Sequence, residues 1–283
     1  MNWIEGVGAA IDYIEDNLDL ELEIESIAAK AYVSAFYFQK AFSLLCGFTV
    51  GEYIRQRRLA LAGIALVSTD EKVIDIALRY GYDSPDSFTK AFTRFHGSTP
   101  TAVRRGGATI RSFAPLKIKF ILEGGFIMDY KIVEKSEFTI IGASRMFDME
   151  TATQKIPIFW AEHYKNGGGA VVCGMYGICV DSNDKTFEYL IADDCKEGSA
   201  IPEGYKTMKI PAHTWAVFPS RGAMPEALQK VTQKIFSEWL PNCREYELSG
   251  ECTIELYTDV AKYEKGNQDE NYYSEVWIPV KKK

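Results

Sequence analysis

Hydrophobic residues in the first hundred positions follow a helical period. Between residues 2 and 18 they recur every three or four positions, at Ile4, Val7, Ile11, Ile14 and Leu18. This spacing predicts an amphipathic helix. The same period predicts a short helix near 24–31, a third helix between Ser34 and Gly47, and a longer one from Val50. Serine before a helix and glycine after it are the residue types that favour its two ends.

The later part of this helical region repeats the earlier part. Residues 34–55 match residues 84–105 at a shift of 50, and the clearest stretch reads FQKAF in the first copy and FTKAF in the second. Upstream, Ala28 recurs as Ala77, and a residue this small lets two helices cross closely. Two copies of a short helix, a turn and a capped helix predict a tandem helix-turn-helix.

The pattern changes to strands from about residue 128. The predicted elements are strands at 130–133 and 138–142, a helix near 154–166, strands at 171–180 and 187–192, a strand at 205–218, a helix near 224–239, and strands at 253–258 and 274–280. The order strand, helix, strand, strand therefore occurs twice. This repetition predicts an α+β domain with an internal pseudo-twofold axis.

Glycine and proline residues separate the two halves. Glycine pairs and Pro115 flank an apolar run at 118–122, which predicts a linker with one short strand. We therefore predict two domains. The first, at 1–107, is an all-α tandem helix-turn-helix; a linker follows at 108–127. The second, at 128–283, is an antiparallel α+β domain made of two strand-helix-strand-strand repeats.

The charge is divided unevenly along the chain. A formal net charge of −7 over 283 residues disfavours nucleic-acid binding, because phosphate contacts need positive potential. However, residues 1–29 hold eight acidic and no basic residues, residues 30–111 carry a net +6, and residues 112–283 a net −5. The basic block restores nucleic acid as a partner for that block alone. With 47% hydrophobic and 25% charged residues, the chain is neither disordered nor fibrous.

Spaced residues in the second helical copy link this half to a known family. They are Ile76-Ala77, Gly81-Tyr82, Ser84, Phe88, Lys90-Ala91-Phe92, Gly97, Thr99-Pro100 and Arg104. Through them, residues 1–107 resemble the AraC/XylS family of transcription regulators. The resemblance implies a domain that binds double-stranded promoter DNA and activates transcription with RNA polymerase as a partner. Tyr32 departs from the family, where many members have glycine; a positive φ at this position costs a tyrosine roughly 1 kcal/mol or more.

Each capped helix is expected to lie in the major groove with its outward N-terminal side chains near the bases. In the first copy the expected contacts are Phe36, Gln39 and Lys40, which also match the family's base-contacting positions. Phe36 is interpreted as a contact to a thymine methyl group, with core packing as the alternative. The second copy is expected mainly to hold the DNA backbone. Its candidate residues are Ser87, Thr89, Lys90 and Arg94.

Two other groups of charged residues bear on this model of DNA binding. The acidic first helix is expected to face away from the DNA, because carboxylates and phosphates repel each other. Arg55, Arg57 and Arg58 lie on the long connecting helix. Two interpretations stay open for these arginines: contacts to phosphate, or a solvated charged face.

A second set of residues links the other half to a different family. In chain order they are Asp129-Tyr130-Lys131-Ile132, Gly142, Trp160, Tyr176-Gly177, Phe187-Glu188-Tyr189, Ile254-Glu255-Leu256-Tyr257 and Glu275-Val276-Trp277-Ile278-Pro279-Val280. Through their order and this ending, residues 128–283 resemble the GyrI-like effector-binding domain. The resemblance implies a pocket for small molecules that are aromatic and often cationic.

Two predicted strands carry a face that combines a carboxylate with aromatic rings. This face holds Thr253, Glu255 and Tyr257 in 251–258, and Tyr273, Glu275 and Trp277 in 272–280, and the other face of each strand is aliphatic. We expect the aliphatic faces to pack on helices and the carboxylate faces to bind a lipophilic cation, through charge and ring contacts. The alternative is a solvated face; for the last two candidates below it is core packing. The candidate ligand-binding residues are Glu255, Tyr257, Tyr273, Glu275, Trp277, Tyr176 and Trp215.

Other chemistry is sparse in the sequence. Three histidines without paired spacing and six cysteines without a CxxC pair predict no metal site, and we expect no cofactor and no catalytic residues. The N-terminus lacks the features of a signal peptide and no run approaches ~20 apolar residues, so we expect a cytoplasmic protein without a membrane partner.

The sequence therefore predicts a ligand-responsive, sequence-specific transcription regulator that binds promoter DNA and a small-molecule effector. Two rivals stay open. One is a GyrI-like hydrolase that uses Glu275 and is fused to a DNA-binding domain. The other is a DNA-binding regulator whose second half docks a protein instead of a ligand.

Overall fold

The computed structural model describes residues 3–118, 128–149, 151–181, 186–196, 198, 200–250 and 252–283. The chain divides into two compact units, Met1–Leu122 and Glu123–Lys283. The short strand predicted at 118–122 lies, beyond Ile118, outside the described residues. Among the described helices, none combines the length and the apolar character needed to cross a bilayer.

The described part of the first unit contains seven helices. They are α1 (Trp3–Asp16), α2 (Ile24–Lys30), α3 (Ala35–Cys46), α4 (Val50–Ser68), α5 (Val73–Arg79), α6 (Pro85–His96) and α7 (Pro100–Arg104). The Ser34 hydroxyl accepts the Tyr37 N–H at 3.3 Å, and the Ser84 hydroxyl accepts the Ser87 N–H at 3.2 Å. α2 with α3 and α5 with α6 form the two predicted helix-turn-helix units, so the tandem arrangement is confirmed.

Each helix-turn-helix has its own hydrophobic core, and α4 contributes to both. Near its start, Val50 and Tyr53 pack with residues of α1, α2 and α3, including Phe38 and Phe42. Further along, apolar residues of α4 such as Leu66 pack with α5, α6 and α7. The repeat seen in the sequence therefore corresponds to two small cores that are joined by one long helix.

The turn between α2 and α3 contains an unusual backbone conformation. Tyr32 has a φ of +57°, while the equivalent residue of the second copy, Gly81, has a φ of +81°. Because the residue is 75% exposed, burial of the Tyr32 ring contributes little free energy to offset the cost of this conformation. The position thus has the positive φ for which the sequence analysis gave the cost to a tyrosine, and this places local strain in the first turn.

Residues 108–118, the first half of the predicted linker, pack against the helical unit. Phe113 contributes to the first core and Ile110 to the second. The Arg111 N–H donates to His96 Nδ1 at 3.0 Å, and the Leu116 N–H donates to the Tyr53 hydroxyl at 3.0 Å. This segment, which we call the strap, therefore fastens both helix-turn-helix units.

The described part of the second unit forms one antiparallel sheet with helices on one of its faces. Its elements are β1 (Lys131–Lys135), β2 (Phe138–Asp148), α8 (Ala152–Lys165), β3 (Tyr176–Asp181), β4 (Thr186–Asp194), β5 (Lys206–Ile210), β6 (His213–Arg221), α9 (Glu226–Lys234), α10 (Leu240–Asn242), β7 (Tyr246–Leu248), β8 (Cys252–Tyr257) and β9 (Tyr273–Lys282). A π-helical turn, Ile235–Trp239, joins α9 to α10.

The strand order confirms the predicted internal symmetry. The order is β1-β6-β9-β8-β3-β4-β2-β5, with β7 added beside β9. Exchanging the first repeat (β1, β2, β3, β4) with the second (β5, β6, β8, β9) reverses this order and leaves every neighbour unchanged. The central pair is β3 with β8, where Ile178 lies opposite Ile254.

Two of the predicted strands differ from the structure. The strand predicted at 171–180 begins only at Tyr176, because Asp193 accepts the backbone N–H groups of Cys173 and Met175 at 2.6 Å each. The strand predicted at 205–218 is two strands. They separate at Pro211, which has no N–H to donate to a ladder.

The two faces of the sheet are occupied differently. On one, which we call the helix face, Phe147 contacts Phe159 of α8, and Phe218 contacts Trp239 of the π-helical turn. On the other, the opposite face, a buried cluster runs across the sheet. It comprises Ile140, Tyr176, Ile178, Leu190, Ala192, Ile210, Trp215, Val217, Cys252, Ile254 and Trp277.

Candidate functional site

The first candidate surface is α3, where Phe36 was expected to point outward. Phe36 is only 2% exposed, so the prediction of an outward ring is wrong. Its ring packs edge-on against Tyr37, with 5.6 Å between centroids, and the Lys40 ammonium lies 5.7 Å from its centroid. Gln39 and Lys40 are half-buried.

The expected contacts on α6 are more accessible. Ser87, Lys90 and Arg94 are exposed and spaced at three and four residues, which places them on one side of the helix. Thr89 is half-buried. The Ser84 hydroxyl donates to Ser87 Oγ at 2.8 Å, so Ser87 also takes part in the helix cap.

Two of the three α4 arginines bond within the unit. Arg57 Nε donates to Glu15 Oε1 at 2.9 Å and its Nη2 to Glu15 Oε2 at 2.6 Å. Arg58 donates to the carbonyls of Leu18 and Leu20 at 2.8 and 2.6 Å. The interpretation as a solvated charged face is therefore wrong for Arg57, which is 8% exposed, and both side chains tie the acidic α1 segment to α4. Arg55 is exposed.

In the second unit, the strand register separates the two candidate carboxylates. Leu256 of β8 lies opposite Glu275 of β9, and Glu255 lies opposite Val276. Directly paired residues share a face of the sheet, so Glu255 is on the helix face and Glu275 on the opposite face. The expectation that the aliphatic face of each strand packs on the helices is therefore wrong for 251–258, where the face that carries Glu255 lies toward the helices and Ile254 lies in the cluster of the opposite face.

Glu275 is buried and already neutralised. It is 6% exposed and accepts hydrogen bonds from the Tyr273 hydroxyl at 2.6 Å, Trp277 Nε1 at 2.7 Å and Lys131 Nζ at 3.2 Å. Burial raises the pKa of Glu275, but these hydrogen bonds and the Lys131 charge outweigh burial and hold it below its usual value. The predicted residues Tyr273, Glu275 and Trp277 thus form a closed hydrogen-bonded group.

Tyr176 and Trp215 also lie on the opposite face, within its buried cluster. They are 3% and 0% exposed, and the Tyr176 hydroxyl donates to Asp194 at 3.2 Å. The ring centroids of Trp215 and Trp277 are 6.0 Å apart. The structure therefore groups both aromatics with Trp277, in accord with the core-packing alternative, and away from Glu255.

Glu255 lies in a different environment on the helix face. Its Oε2 accepts the Tyr257 hydroxyl at 2.7 Å and the Tyr189 hydroxyl at 3.3 Å. Trp160 of α8 donates its indole N–H to the Tyr189 hydroxyl at 3.0 Å and packs edge-on against Tyr257 at 5.3 Å. Among the described residues, no lysine, arginine or histidine pairs with Glu255.

Three residues of this group, Trp160, Gly177 and Tyr189, were not among the predicted ligand-binding residues, although they are among those that resemble the GyrI-like domain. Trp160 and Tyr189 supply ring surface, and Gly177 leaves room for them: a Cβ there would lie 2.2 Å from the Tyr189 hydroxyl and 3.1 Å from Glu255 Oε2. Alternation along β4 places Tyr189 on the same face as the helices, a signal present in the sequence. The position of Trp160 depends on how α8 packs, which strand alternation does not determine.

The tyrosines at this site stay protonated. Burial raises the pKa of Tyr189 and of Tyr257 well above the usual value, and the negative charge of Glu255 raises each further. Both hydroxyls therefore act as hydrogen-bond donors to the carboxylate at neutral pH. The Glu255 site, formed by Glu255, Tyr257, Tyr189, Trp160 and Gly177, combines one carboxylate with aromatic rings.

Apolar side chains next to the Glu255 site are exposed to solvent. Tyr164 and Met175 are both exposed. The Tyr164 ring lies 6.0 Å from the Trp160 ring, and the Met175 carbonyl accepts the Tyr257 N–H at 2.8 Å. In the part of the chain that the structure describes, no group of three histidine, cysteine or acidic side chains could hold a metal ion. The chemistry available here is thus charge attraction and ring contact.

Two family models match the chain. A helix-turn-helix domain covers residues 27–106. The Cass2 model, an integron-associated effector binding protein, covers residues 131–280, which is more than half of the chain.

Similar proteins were found for both units. The right origin-binding protein of Escherichia coli K12 is 33% identical over 138 residues, 48% of this chain and 46% of that protein, so the chain spans about half of its length. The regulatory protein SoxS of Salmonella typhimurium is 39% identical over 94 residues, 33% of this chain and 88% of SoxS. The structure of SAV2435 bound to tetraphenylphosphonium covers 54% of this chain and 94% of SAV2435, with 24% identity and a TM-score of 0.48. The chain belongs to the AraC/XylS family of transcription regulators and carries a GyrI-like effector-binding domain that matches the Cass2 model.

Proposed function

We propose that this protein is a transcription regulator that responds to a small aromatic cation. In this proposal the domain at 1–107 binds promoter DNA, the segment at 108–127 joins the domains, and the domain at 128–283 binds the cation at the Glu255 site. The observation that carries the proposal is the Glu255 carboxylate, which is surrounded by aromatic rings and has no basic partner among the described residues.

The charge of Glu255 favours a cationic ligand. Tyrosine hydroxyls stabilise a carboxylate by hydrogen bonding but leave its formal charge in place. A cation near the rings of Trp160 and Tyr257 gains about 0.5 to 2 kcal/mol from each favourable ring contact, in addition to its attraction to Glu255. The exposed apolar residues next to the site match a ligand that is lipophilic as well as charged.

Glu275 provides the natural comparison. It sits in the same sheet and is also flanked by aromatic residues, but Lys131 already supplies its positive charge. A second cation at this position would have to displace Lys131 and break hydrogen bonds from Tyr273 and Trp277. We therefore propose no ligand contact by Tyr273, Glu275 or Trp277, and no reaction in which Glu275 acts as an acid or base.

The DNA-binding part of the proposal rests on α3 and α6. We propose that Gln39 and Lys40 of α3 read bases in the major groove, where Gln pairs with adenine and Lys with guanine. We propose that Thr89, Lys90 and Arg94 of α6 contact phosphates. Ser87 stays a candidate contact that also caps the helix. Family membership further supports RNA polymerase as a partner, activation as the mode of regulation and the cytoplasm as the location.

Calorimetry with tetraphenylphosphonium, the cation named with SAV2435, tests the ligand site. We expect Glu255→Gln to weaken binding by about tenfold, the equivalent of ~1.4 kcal/mol, because the variant removes the charge and keeps the shape. The matched control, Glu275→Gln, should leave the affinity unchanged. Loss of binding in Glu275→Gln, with Glu255→Gln behaving like the wild type, would move the site to the opposite face.

A further inference from the structure

We infer that the Glu255 site prefers protonated amines, which carry an N–H group, over permanently quaternary cations. This inference rests on the proposed function, since it concerns the chemical class of cation that the same site binds. The observation behind it is that only one of the two carboxylate oxygens of Glu255 accepts hydrogen bonds from the described residues.

The direction of the hydrogen bonds at the site is fixed by Trp160. An indole N–H only donates, so the Tyr189 oxygen accepts from Trp160 at 3.0 Å. The proton of the Tyr189 hydroxyl is then available for Glu255 Oε2, at 3.3 Å. The Tyr257 hydroxyl donates to the same oxygen at 2.7 Å. Two hydroxyl donors therefore converge on Oε2.

The other oxygen, Oε1, receives no hydrogen bond from the described residues. Oε1 is also not fully buried, since it is not one of the buried polar atoms that lack a partner. Oε2 lies towards the sheet, 3.1 Å from the place where a Cβ of residue 177 would be. A ligand that reaches Glu255 from solvent therefore meets Oε1, which has a full share of negative charge and no donor.

Such an oxygen discriminates between two kinds of cation. A protonated amine places an N–H on Oε1 at the short distance, about 2.7 to 2.9 Å, that is typical of charge-assisted hydrogen bonds. A quaternary ammonium or phosphonium has no hydrogen on its charged atom, and its carbon substituents keep the charge further from the oxygen. Both kinds can contact the rings of Trp160 and Tyr257, so the rings do not discriminate between them.

The expected ligand is therefore an aromatic group joined by a short alkyl chain to a protonated amine. The aromatic group packs against Trp160 and Tyr257, and the ammonium N–H binds Glu255 Oε1. Because a charge-assisted hydrogen bond is worth roughly 1.5 kcal/mol or more, we expect about a tenfold preference over a quaternary analogue.

The test uses a matched pair: dimethyl(naphthylmethyl)amine and the corresponding trimethylammonium salt, which differ by one methyl group. Calorimetry with the full chain at neutral pH, where the amine is protonated, should give about tenfold tighter binding of the amine. In Glu255→Gln, checked for folding by circular dichroism, the two affinities should converge. In the wild type, the advantage should also disappear when the pH exceeds the amine's own pKa, because only the quaternary salt keeps its charge.

The outcomes separate the inference from the proposed function. Equal or tighter binding of the quaternary salt, with both affinities reduced in Glu255→Gln, overturns the amine preference and leaves the cation site standing. A preference that persists in Glu255→Gln also overturns it, because the preference then has another origin. If neither compound binds, or if Glu255→Gln affects neither, the proposed cation site itself is wrong.

Discussion

At the residue scale, individual partners decide what each charged or strained side chain does. Glu255 and Glu275 are the same residue type in similar sequence surroundings, yet a lysine neutralises only one of them. Arg57 and Arg55 are two positions apart on α4, yet Arg57 is bonded to Glu15 while Arg55 is exposed. Sequence spacing does not reveal such partners, because they come from residues far away in the chain.

Replacing Tyr32 by glycine should stabilise the helical unit by about 1 kcal/mol. The expected gain comes from the φ of +57°, which glycine adopts without a Cβ clash. Chemical denaturation followed by far-ultraviolet circular dichroism measures it. Tyr32→Ala is the control: it removes the exposed ring but keeps the Cβ, so it should bring no such gain. Equal stabilisation by both variants would assign the effect to the ring.

Lowering the pH below about 6.5 should destabilise the helical unit through His96. Burial lowers the pKa of His96, the Leu59 carbonyl opposes this, and the charge of Arg111 lowers it further. The unfolded chain binds this proton more readily than the folded one. The free energy of unfolding therefore has its full value above the pKa that His96 has in the unfolded chain. As the pH falls further, the free energy of unfolding decreases by at most ~1.4 kcal/mol per pH unit, until the pH reaches the pKa that His96 has in the folded protein.

The measurement is a series of denaturation curves from neutral to mildly acidic pH. His96→Gln is the matched variant, because an amide can also donate to the Leu59 carbonyl and accept the Arg111 N–H. The variant should lack the slope that His96 contributes. An identical pH dependence in both proteins would show that His96 does not titrate between the two states.

At the element scale, the sequence predicts the helices and strands themselves more reliably than it predicts the pairing of the strands. The tandem repeat, its caps at Ser34 and Ser84, and the doubled order of strands and helices were all present in the sequence. The register of β8 against β9 was not, because alternation fixes faces within one strand only. A one-residue offset placed Glu255 and Glu275 on opposite faces, and the packing of α8 brought in Trp160.

The two recognition helices should respond differently to substitution. Gln39→Ala on α3 should weaken binding to a specific promoter site by about 1 to 3 kcal/mol and relax specificity at one base position. Lys90→Ala on α6 should weaken binding to all DNA sequences alike and reduce the dependence of log Kd on log salt by roughly one unit. Electrophoretic mobility shifts at several salt concentrations distinguish the two. Equal losses of specificity would contradict the division of roles.

At the scale of the whole molecule, the chain combines a basic block at 30–111 with acidic segments on either side. The net +6 over residues 30–111 suits phosphate, whereas the ligand that we propose for the Glu255 site is a cation. If ligand and DNA binding are coupled, the coupling is reciprocal: a cation that changes the affinity for DNA has its own affinity changed by DNA by the same factor. The strap from 108 to 118 packs on both helix-turn-helix cores.

We propose that a cation bound at Glu255 controls transcription. In vitro transcription from a bound promoter, with RNA polymerase and increasing tetraphenylphosphonium, tests it directly. We expect the cation to change transcript yield with the wild type and with Glu275→Gln. We expect Glu255→Gln to bind the promoter normally but to give the same yield with and without the cation. A folded Glu255→Gln protein that responds like the wild type would contradict it.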